Sequence, residues 1–495
     1  MEEAKWSGRT AFVLASIGSA VGLGNVWRFP YIAYKFGGGA FIVAYIIALI
    51  LIGIPMLLLE FSIGYKFKGS APYSMAKLSN EKRLPINFEW LGWFAVFVGF
   101  GIVTYYSVIM GWSFDYLYYS LNTAWGENTK EFFFQKVLGL TSGVFELGKV
   151  QWPIVLGLLV SWVWIVFSIW KGARTVGKVV YVTVTMPWIL LLIFVIRGLT
   201  LPGAVQGINY YLTPNWKELL NPALWHAAIS QIFFSLTVGF GVMIAYASFL
   251  PEGSDIVNNA ILVALADAAT AFVAGFAVFS TLGYYAQLQG VSVAEVARGG
   301  PELAFVTYPT IISKLPLAPL FGVFFFLMLL TLAIDSAFSL VEAFITALMD
   351  KFGTKREYTN IGVAILAFLI GIIYTTGAGL YWLDIVDHFM NHFGLFTVAF
   401  LESILIGWFY GSEEMREFAN SVSDRPIGKW WNISVKFIVP LSSLIIFVSA
   451  LKERIREPYG GYPRLAEVIG GWAVLAIFLI LAIYFTTRKT KRVFK

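Results

Sequence analysis

Charge-free apolar runs punctuate this chain at positions 10–27, 40–59, 90–114, 150–170 and 179–196, followed by a long one over 219–251. A helix that crosses a bilayer needs about 20 predominantly apolar residues, and each run is close to that length. The second half is more interrupted: further runs cover 256–284, 317–349, 358–374, 383–409, 430–451 and 468–487, four of them with internal charges. The pattern predicts an all-α integral membrane protein with twelve transmembrane helices. An even count puts both termini on one face. That face collects 22 Lys and Arg against 12 on the other, with Arg28 inside a helix, which makes it cytoplasmic and the protein a multi-pass component of the cell membrane. The segment 290–314, with Gly299, Gly300 and Pro301, is too polar to span and reads as an outer re-entrant or interfacial hairpin.

Composition sharpens this. Of 495 residues, 58% are hydrophobic and 13% charged, against roughly 25% charged in soluble domains. The absence of cysteine excludes disulfides, Cys-zinc sites, iron–sulfur clusters and thiol nucleophiles, and three histidines leave little for a metal centre. The net charge of +6 sits in short loops and at the C-terminus, so no nucleic-acid partner is implied. The N-terminal residues read without a cleavable signal.

Two glycine motifs repeat. Ala20-Val21-Gly22-Leu23-Gly24 in the first span matches Thr237-Val238-Gly239-Phe240-Gly241 in the sixth, 217 residues on. Five crossings separate them, so the two segments run in opposite directions through the bilayer. Glycine costs about 1 kcal/mol relative to alanine in a helix, and freed backbone groups survive at membrane depth only beside a cavity or water. Paired breaks of this kind mark transporter binding sites. Close helix packing is the competing account of either motif alone.

Intramembrane acids add a second signal, because a buried carboxylate is costly unless paired or solvated. Glu60, Asp267, Asp335, Glu342, Asp387 and Glu402 are faced by one fixed cation at similar depth, Arg28. Protons, metal ions or a cationic substrate must make up the difference, and hard monovalent cations suit the oxygen ligands near the breaks: free carbonyls, Asn25, Ser235, Asp335 and Ser336. Glu60 and Glu402 also read as hydrogen-bond anchors between helices, Asp350 as a surface charge and Asp387 as the partner of Arg28.

The residues carrying these signals resemble the neurotransmitter:sodium symporter family, in its prokaryotic amino-acid transporter branch. The resemblance rests on G-S-A-V-G-L-G-N-V-W-R-F-P at 18–30, Q-I-F-F-S-L-T-V-G-F-G at 231–241, G-P-E-L-A-F-V-T-Y-P at 300–309 and A-I-D-S-A-F at 333–338. It implies a 5+5 inverted repeat with broken first and sixth helices: residues 1–200 form the first repeat, 201–412 the second with its outer hairpin, and 413–495 two peripheral helices with a basic tail. It also implies alternating access around one substrate site and two sodium ions, with no organic cofactor. The first ion maps to Ala20, Asn25, Ser235 and Asp267 with the substrate carboxylate; the second to Gly18, Val21, Leu332, Asp335 and Ser336. All are oxygen donors, as hard cations require.

By the same resemblance, the substrate carboxylate lies against the amides of Gly22 and Gly24 and the Tyr106 hydroxyl, and its ammonium meets carbonyls of Ala20 and Phe234 near Ser235. Amine transporters of the family carry aspartate where Gly22 stands, so an amino acid is implied. Its side chain faces Ile102, Phe234, Thr237, Phe240, Ser336 and Leu340, a set without formal charge that suits a neutral, aliphatic substrate. The gates are Arg28 and Asp387 with Phe234 as lid on the outside, and Trp6 and Asp350 on the inside. There the family's arginine falls at Glu3 and its tyrosine at Phe249, so Lys5 or Arg9 becomes the alternative partner of Asp350. Gly177 and Pro187 reproduce the family's spacing for an unwinding fifth span, with an ordinary proline kink as the other account. Chloride-dependent members have asparagine at Asp267 and serine at Ala271, so chloride-independent transport is expected, with proton return by Asp267 as a related possibility.

Several features point elsewhere. The glycine-rich stretch at 172–178 imitates a phosphate loop but has Val179 where serine or threonine is required and no preceding strand; it reads as a basic cytoplasmic loop. His388 and His392, beside Asp387, are spaced for zinc but suit a vestibule or core pair. No catalytic constellation stands out, so the chain is not read as an enzyme. A channel would need a continuous pore, and a non-transporting amino-acid sensor would need more than the short tails. A proton-coupled amino-acid transporter of the same fold is the closest rival to the sodium symporter.

Overall fold

The computed structural model describes residues 6–297 and 299–491. Among them, nine helices are long and apolar enough to cross a membrane, or ten when the bent pair Arg9–Ala20 and Gly24–Lys35 counts as one. The nine are Gly39–Phe67, Glu89–Ser120, Ala173–Leu199, Ile256–Gln289, Ala318–Phe352, Arg356–Thr375, Gly379–Ser421, Trp430–Gly461 and Arg464–Thr487. A shorter apolar helix, Trp152–Ser168, adds to these, as does a second interrupted pair, Pro222–Ser235 and Val242–Ser248. The helices generally outrun the charge-free stretches by several residues, because their ends carry polar groups into the interface.

Both glycine motifs break their helices. After Ala20 the backbone turns extended at Val21 (φ −76°, ψ 108°), and the two halves meet at 48°. After Ser235, left-handed conformations at Thr237, Gly239 and Gly241 (φ 53°, 84° and 71°) carry the chain across to Val242. Glycine reaches such angles without steric cost.

Proline shapes four helical segments in a regular way. Wide turns with i→i+5 hydrogen bonds at Gly24–Arg28, Leu49–Gly53, Leu303–Thr307 and Ser434–Ile438 each precede a proline by one residue: Pro30, Pro55, Pro309 and Pro440. Proline lacks the N–H that the carbonyl four residues earlier requires, and side chains from other elements supply the donor at three of these carbonyls: Ser434 to Leu51, Tyr116 to Phe305 at 3.0 Å and the Trp408 indole to Lys436 at 3.0 Å.

The Glu89–Ser120 helix is fully buried and the Ala318–Phe352 helix two-thirds buried along their apolar stretches. These two pack against each other, and the Ala318–Phe352 helix also lies against Arg9–Ala20 and Val242–Ser248, one half of each broken pair. Close approach depends on Gly64, where an added Cβ would lie 2.1 Å from the Ile244 carbonyl oxygen; this lets Val242–Ser248 lie directly on Gly39–Phe67. The Arg464–Thr487 helix stays largely uncovered.

The segment read as an outer hairpin folds into short helices, Val293–Val296, Gly300–Glu302 and Tyr308–Ser313. Its second half is buried rather than interfacial: Leu303 to Pro309 pack against the protein, and the Phe305 carbonyl accepts the Tyr116 hydroxyl at 3.0 Å.

Candidate functional site

The two breaks face each other across a small cavity. Its lining brings together Ala20, Gly22, Gly24, Ile102, Tyr106, Phe234, Ser235, Thr237, Phe240, Ser336 and Leu340, with Ser19, Leu23 and Asn25. All eleven residues assigned to the substrate therefore share one wall. The sequence did not single out Leu23, whose amide points to the Tyr106 hydroxyl at 3.5 Å, while the Gly22 amide donates to Asn25 Oδ1 at 2.9 Å. At Gly22 an added Cβ would lie 2.8 Å from Ser336 Oγ and 3.3 Å from the Tyr106 hydroxyl, so a side chain there would press on the cavity lining.

Asp267 is fully buried and organises one side of the cavity. Its carboxylate accepts the Asn25 amide at 2.8 Å, the Ser235 hydroxyl at 2.8 Å to either oxygen, and the Tyr45 hydroxyl at 3.3 Å. Gln231 donates to the Gly24 carbonyl at 3.4 Å, and its own amide oxygen is buried without a partner. Asn25, Ser235 and Asp267 thus form a single oxygen-rich cluster beneath the first break.

Asp335 sits on the other side. An added Cβ on Gly18 would come within 2.6 Å of its Oδ2, so the carboxylate abuts the backbone before the break. Its Oδ1 accepts the Thr183 hydroxyl at 2.6 Å, a contact absent from the sequence reading. Ser336 and Thr237 both donate to the Ser19 carbonyl, at 3.1 and 2.8 Å, and Ser19 donates to Ser339 at 2.8 Å. Val184 interrupts the helix from Ala173 to Leu199 but keeps helical angles (φ −86°, ψ −38°). The backbone ahead of Pro187, four residues beyond Thr183, is therefore helical in this structure.

Above the cavity a vestibule of about 830 Å³ opens away from the chain termini, lined by Arg28, Phe234, Tyr105, Tyr106 and Asp387 among others. Arg28 lies over the Phe234 ring, 5.0 Å from its centre. Asp387 instead accepts the Tyr105 hydroxyl at 2.6 Å and the Asn391 amide at 2.9 Å. Arg28 and Asp387 face each other across the vestibule without closing into an ion pair. Tyr105 and Asn391 are the partners the sequence did not indicate. His388 and His392 stack at 4.4 Å, with His388 buried against Tyr459 at 3.8 Å and His392 on the vestibule wall.

The terminal side is closed. Trp6 is buried, donates its indole N–H to the Tyr246 carbonyl at 2.9 Å and packs edge-on to that ring at 5.2 Å. Asp350 is buried and accepts the Ser70 amide at 2.9 Å, so it caps the helix starting at Ala71 and is not a surface charge. Arg9 donates to Asn259 at 2.8 Å, which takes it away from Asp350; Glu3 and Lys5 lie outside the described residues. Glu60 accepts the Gly239 amide, as an anchor should. Glu402 does not behave as one: both its oxygens are buried without a hydrogen-bond partner. Glu342 pairs with Arg356 at 2.5 Å.

A family model for sodium:neurotransmitter symporters matches residues 3–130 and 123–492. A protein described as an uncharacterized sodium-dependent transporter of Methanocaldococcus jannaschii is 40% identical over 493 residues, covering 99% of both chains. The sodium- and chloride-dependent GABA transporter 2 of Homo sapiens is 36% identical over 463 residues, 86% of this chain and 75% of its own. The Rattus norvegicus protein of the same name is 36% identical over 516 residues, 95% and 84% of the two chains. These relatives are transporters, not enzymes. Paired helix breaks, buried acids and a match across almost the whole length agree: the chain belongs to the sodium:neurotransmitter symporter family and is a sodium-dependent, membrane-spanning transporter.

Proposed function

We propose that the protein couples sodium to the uptake of a neutral, aliphatic amino acid by alternating access, without chloride. The observation that carries this reading is the shared wall of the small cavity, where two broken helices present backbone amides beside an uncharged side-chain pocket. The half-helix beginning at Gly24 directs its positive end at the cavity, which favours a carboxylate. Glycine at position 22, where amine transporters of the family carry aspartate, leaves the space beside Ser336 and Tyr106 to the substrate carboxylate.

Twelve spans follow if each broken pair crosses once, with residues 1–200 and 201–412 as the inverted halves, 413–495 peripheral and both termini cytoplasmic. The open vestibule with Trp6 sealing the other side then corresponds to an outward-facing form. One sodium ion is assigned to Ala20, Asn25, Ser235 and Asp267, where the ligand carboxylate completes the shell and makes the two bindings mutually dependent. A second is assigned to Gly18, Val21, Leu332, Asp335 and Ser336. Arg28, Asp387 and Phe234 close the outer side; Trp6 and Asp350 belong to the inner seal.

Chloride independence is supported by Asp267, whose fixed charge already takes the Asn25, Ser235 and Tyr45 donors. Uptake of a labelled panel of amino acids, γ-aminobutyrate included because relatives are named for it, into proteoliposomes with and without a sodium gradient tests the reading. Sodium-driven accumulation of an aliphatic amino acid is expected, unchanged when gluconate replaces chloride. Accumulation driven equally well by a proton gradient alone would refute it.

A further inference from the structure

The loop at 172–178 finds no use in the transport site, yet it is chemically distinctive. Lys171, Arg174 and Lys178 are exposed, and among the described residues none of them enters an ion pair. Arg174 and Lys178, at i and i+4, share one face of the helix starting at Ala173, and Lys171 lies in the turn that leads into it. Together with Phe167, Trp170 and Thr175 they line an open groove of about 420 Å³ that contains no acidic residue.

The same face continues toward the membrane centre as Val182, Ile189 and Ile196, all exposed, and the preceding helix presents exposed Leu156, Val163 and Phe167 beside it. Two apolar stripes thus converge on three unneutralised cations and an aromatic pair at the membrane boundary. Tryptophan is favoured at that depth. A free anion would use the cations alone; the apolar stripes below them require acyl chains.

We propose that this groove binds the phosphate headgroup of an anionic phospholipid, with its chains lying along the Trp152–Ser168 and Ala173–Leu199 helices. The bound lipid holds down a segment already tied to the core. The Ile169 carbonyl accepts Arg356 at 3.1 Å, the Val166 carbonyl accepts Asn360 at 3.1 Å, and Gly177 packs against Ala11 and Trp6.

Native mass spectrometry of the full chain, equilibrated with phosphatidylglycerol and phosphatidylcholine, tests this without reference to uptake. Wild type is expected to retain phosphatidylglycerol preferentially, and K171Q/R174Q/K178Q to lose that preference by roughly five-fold per cation removed. R174Q alone, should the triple variant not fold, is expected to lose about five-fold, while K171R/K178R keeps the preference. Equal retention by wild type and the glutamine variants overturns the proposal. So does displacement of the lipid by millimolar inorganic phosphate, which would make the groove a simple anion site.

Discussion

Replacing Gly18 by alanine should weaken sodium binding while leaving the amino-acid pocket intact. The added Cβ would lie 2.6 Å from Asp335 Oδ2, 2.8 Å from Val184 Cγ2 and 2.9 Å from Asp335 Cγ. Even the closest tolerated approach, 3.0 Å, moves the carboxylate by about 0.4 Å, and ordinary contact at 3.4 Å needs twice that. Such a displacement compares with the roughly 0.5 Å tolerance of a preorganised site. Overpacking of this size costs about 1–3 kcal/mol, equivalent to roughly a 5- to 150-fold loss in affinity. Sodium dependence of labelled-ligand binding to purified protein reads it directly: half-saturation should rise within that range, with ligand affinity at saturating sodium near wild type. G18A/V184A, which removes one of the two walls, should recover part of the loss. Unchanged sodium dependence in a folded G18A protein would show that Gly18 and Asp335 do not frame an ion.

Further expectations follow from the same geometry. D267N exchanges charge-assisted hydrogen bonds for neutral ones about half as strong, so the sodium requirement should rise at least about ten-fold, as measured by uptake at graded sodium. W6A removes a buried indole, a loss of about 3–5 kcal/mol in a core, and should open the terminal side; because the chain has no cysteine, a Ser248→Cys reporter should label at least about ten-fold faster in that background. Asp255 caps the Ile256–Gln289 helix by accepting the Asn258 amide at 3.0 Å. Burial raises its carboxyl pKa, but hydrogen bonds from Asn258, Asp424 and Ser423 outweigh that and hold it below the usual value. Its stabilisation is therefore present above the unfolded pKa of about 3.9 and lost as pH falls through the lower folded value. D255A should lose about 1 kcal/mol in thermal melts at neutral pH and converge with wild type in acid.

The sequence makes the helix breaks legible because glycine pairs at matching depths have few other uses in a bilayer, and Thr237 at φ 53° was located by its glycine neighbours. The acids beside them are legible for a similar reason: their burial demands compensation. What remained hidden are the partners. Thr183 reaches Asp335 across 152 positions, and only the rotation of its helix distinguishes it from other hydroxyls in an apolar stretch. Tyr105 adjoins Tyr106 yet points to Asp387, since neighbours on a helix face about 100° apart. Asp350 is recognisable as an acid at a helix end, but its Ser70 partner depends on how a separate short helix docks. The wide turns were readable in principle from Pro30, Pro55, Pro309 and Pro440, each of which deprives one carbonyl of its donor.

One backbone oxygen bears on speed. The Ser19 carbonyl receives hydroxyls from both the second break and the Ala318–Phe352 helix, so tilting the Arg9–Ala20 arm by itself strands two donors at the cavity wall. Each stranded group costs about 1–3 kcal/mol, so the two together slow the swing by roughly 30-fold to over 10,000-fold unless solvent arrives first. Turnover should then be paced by hydration of this junction, and valine at position 237 would lower the activation enthalpy of the cycle while loosening the resting form.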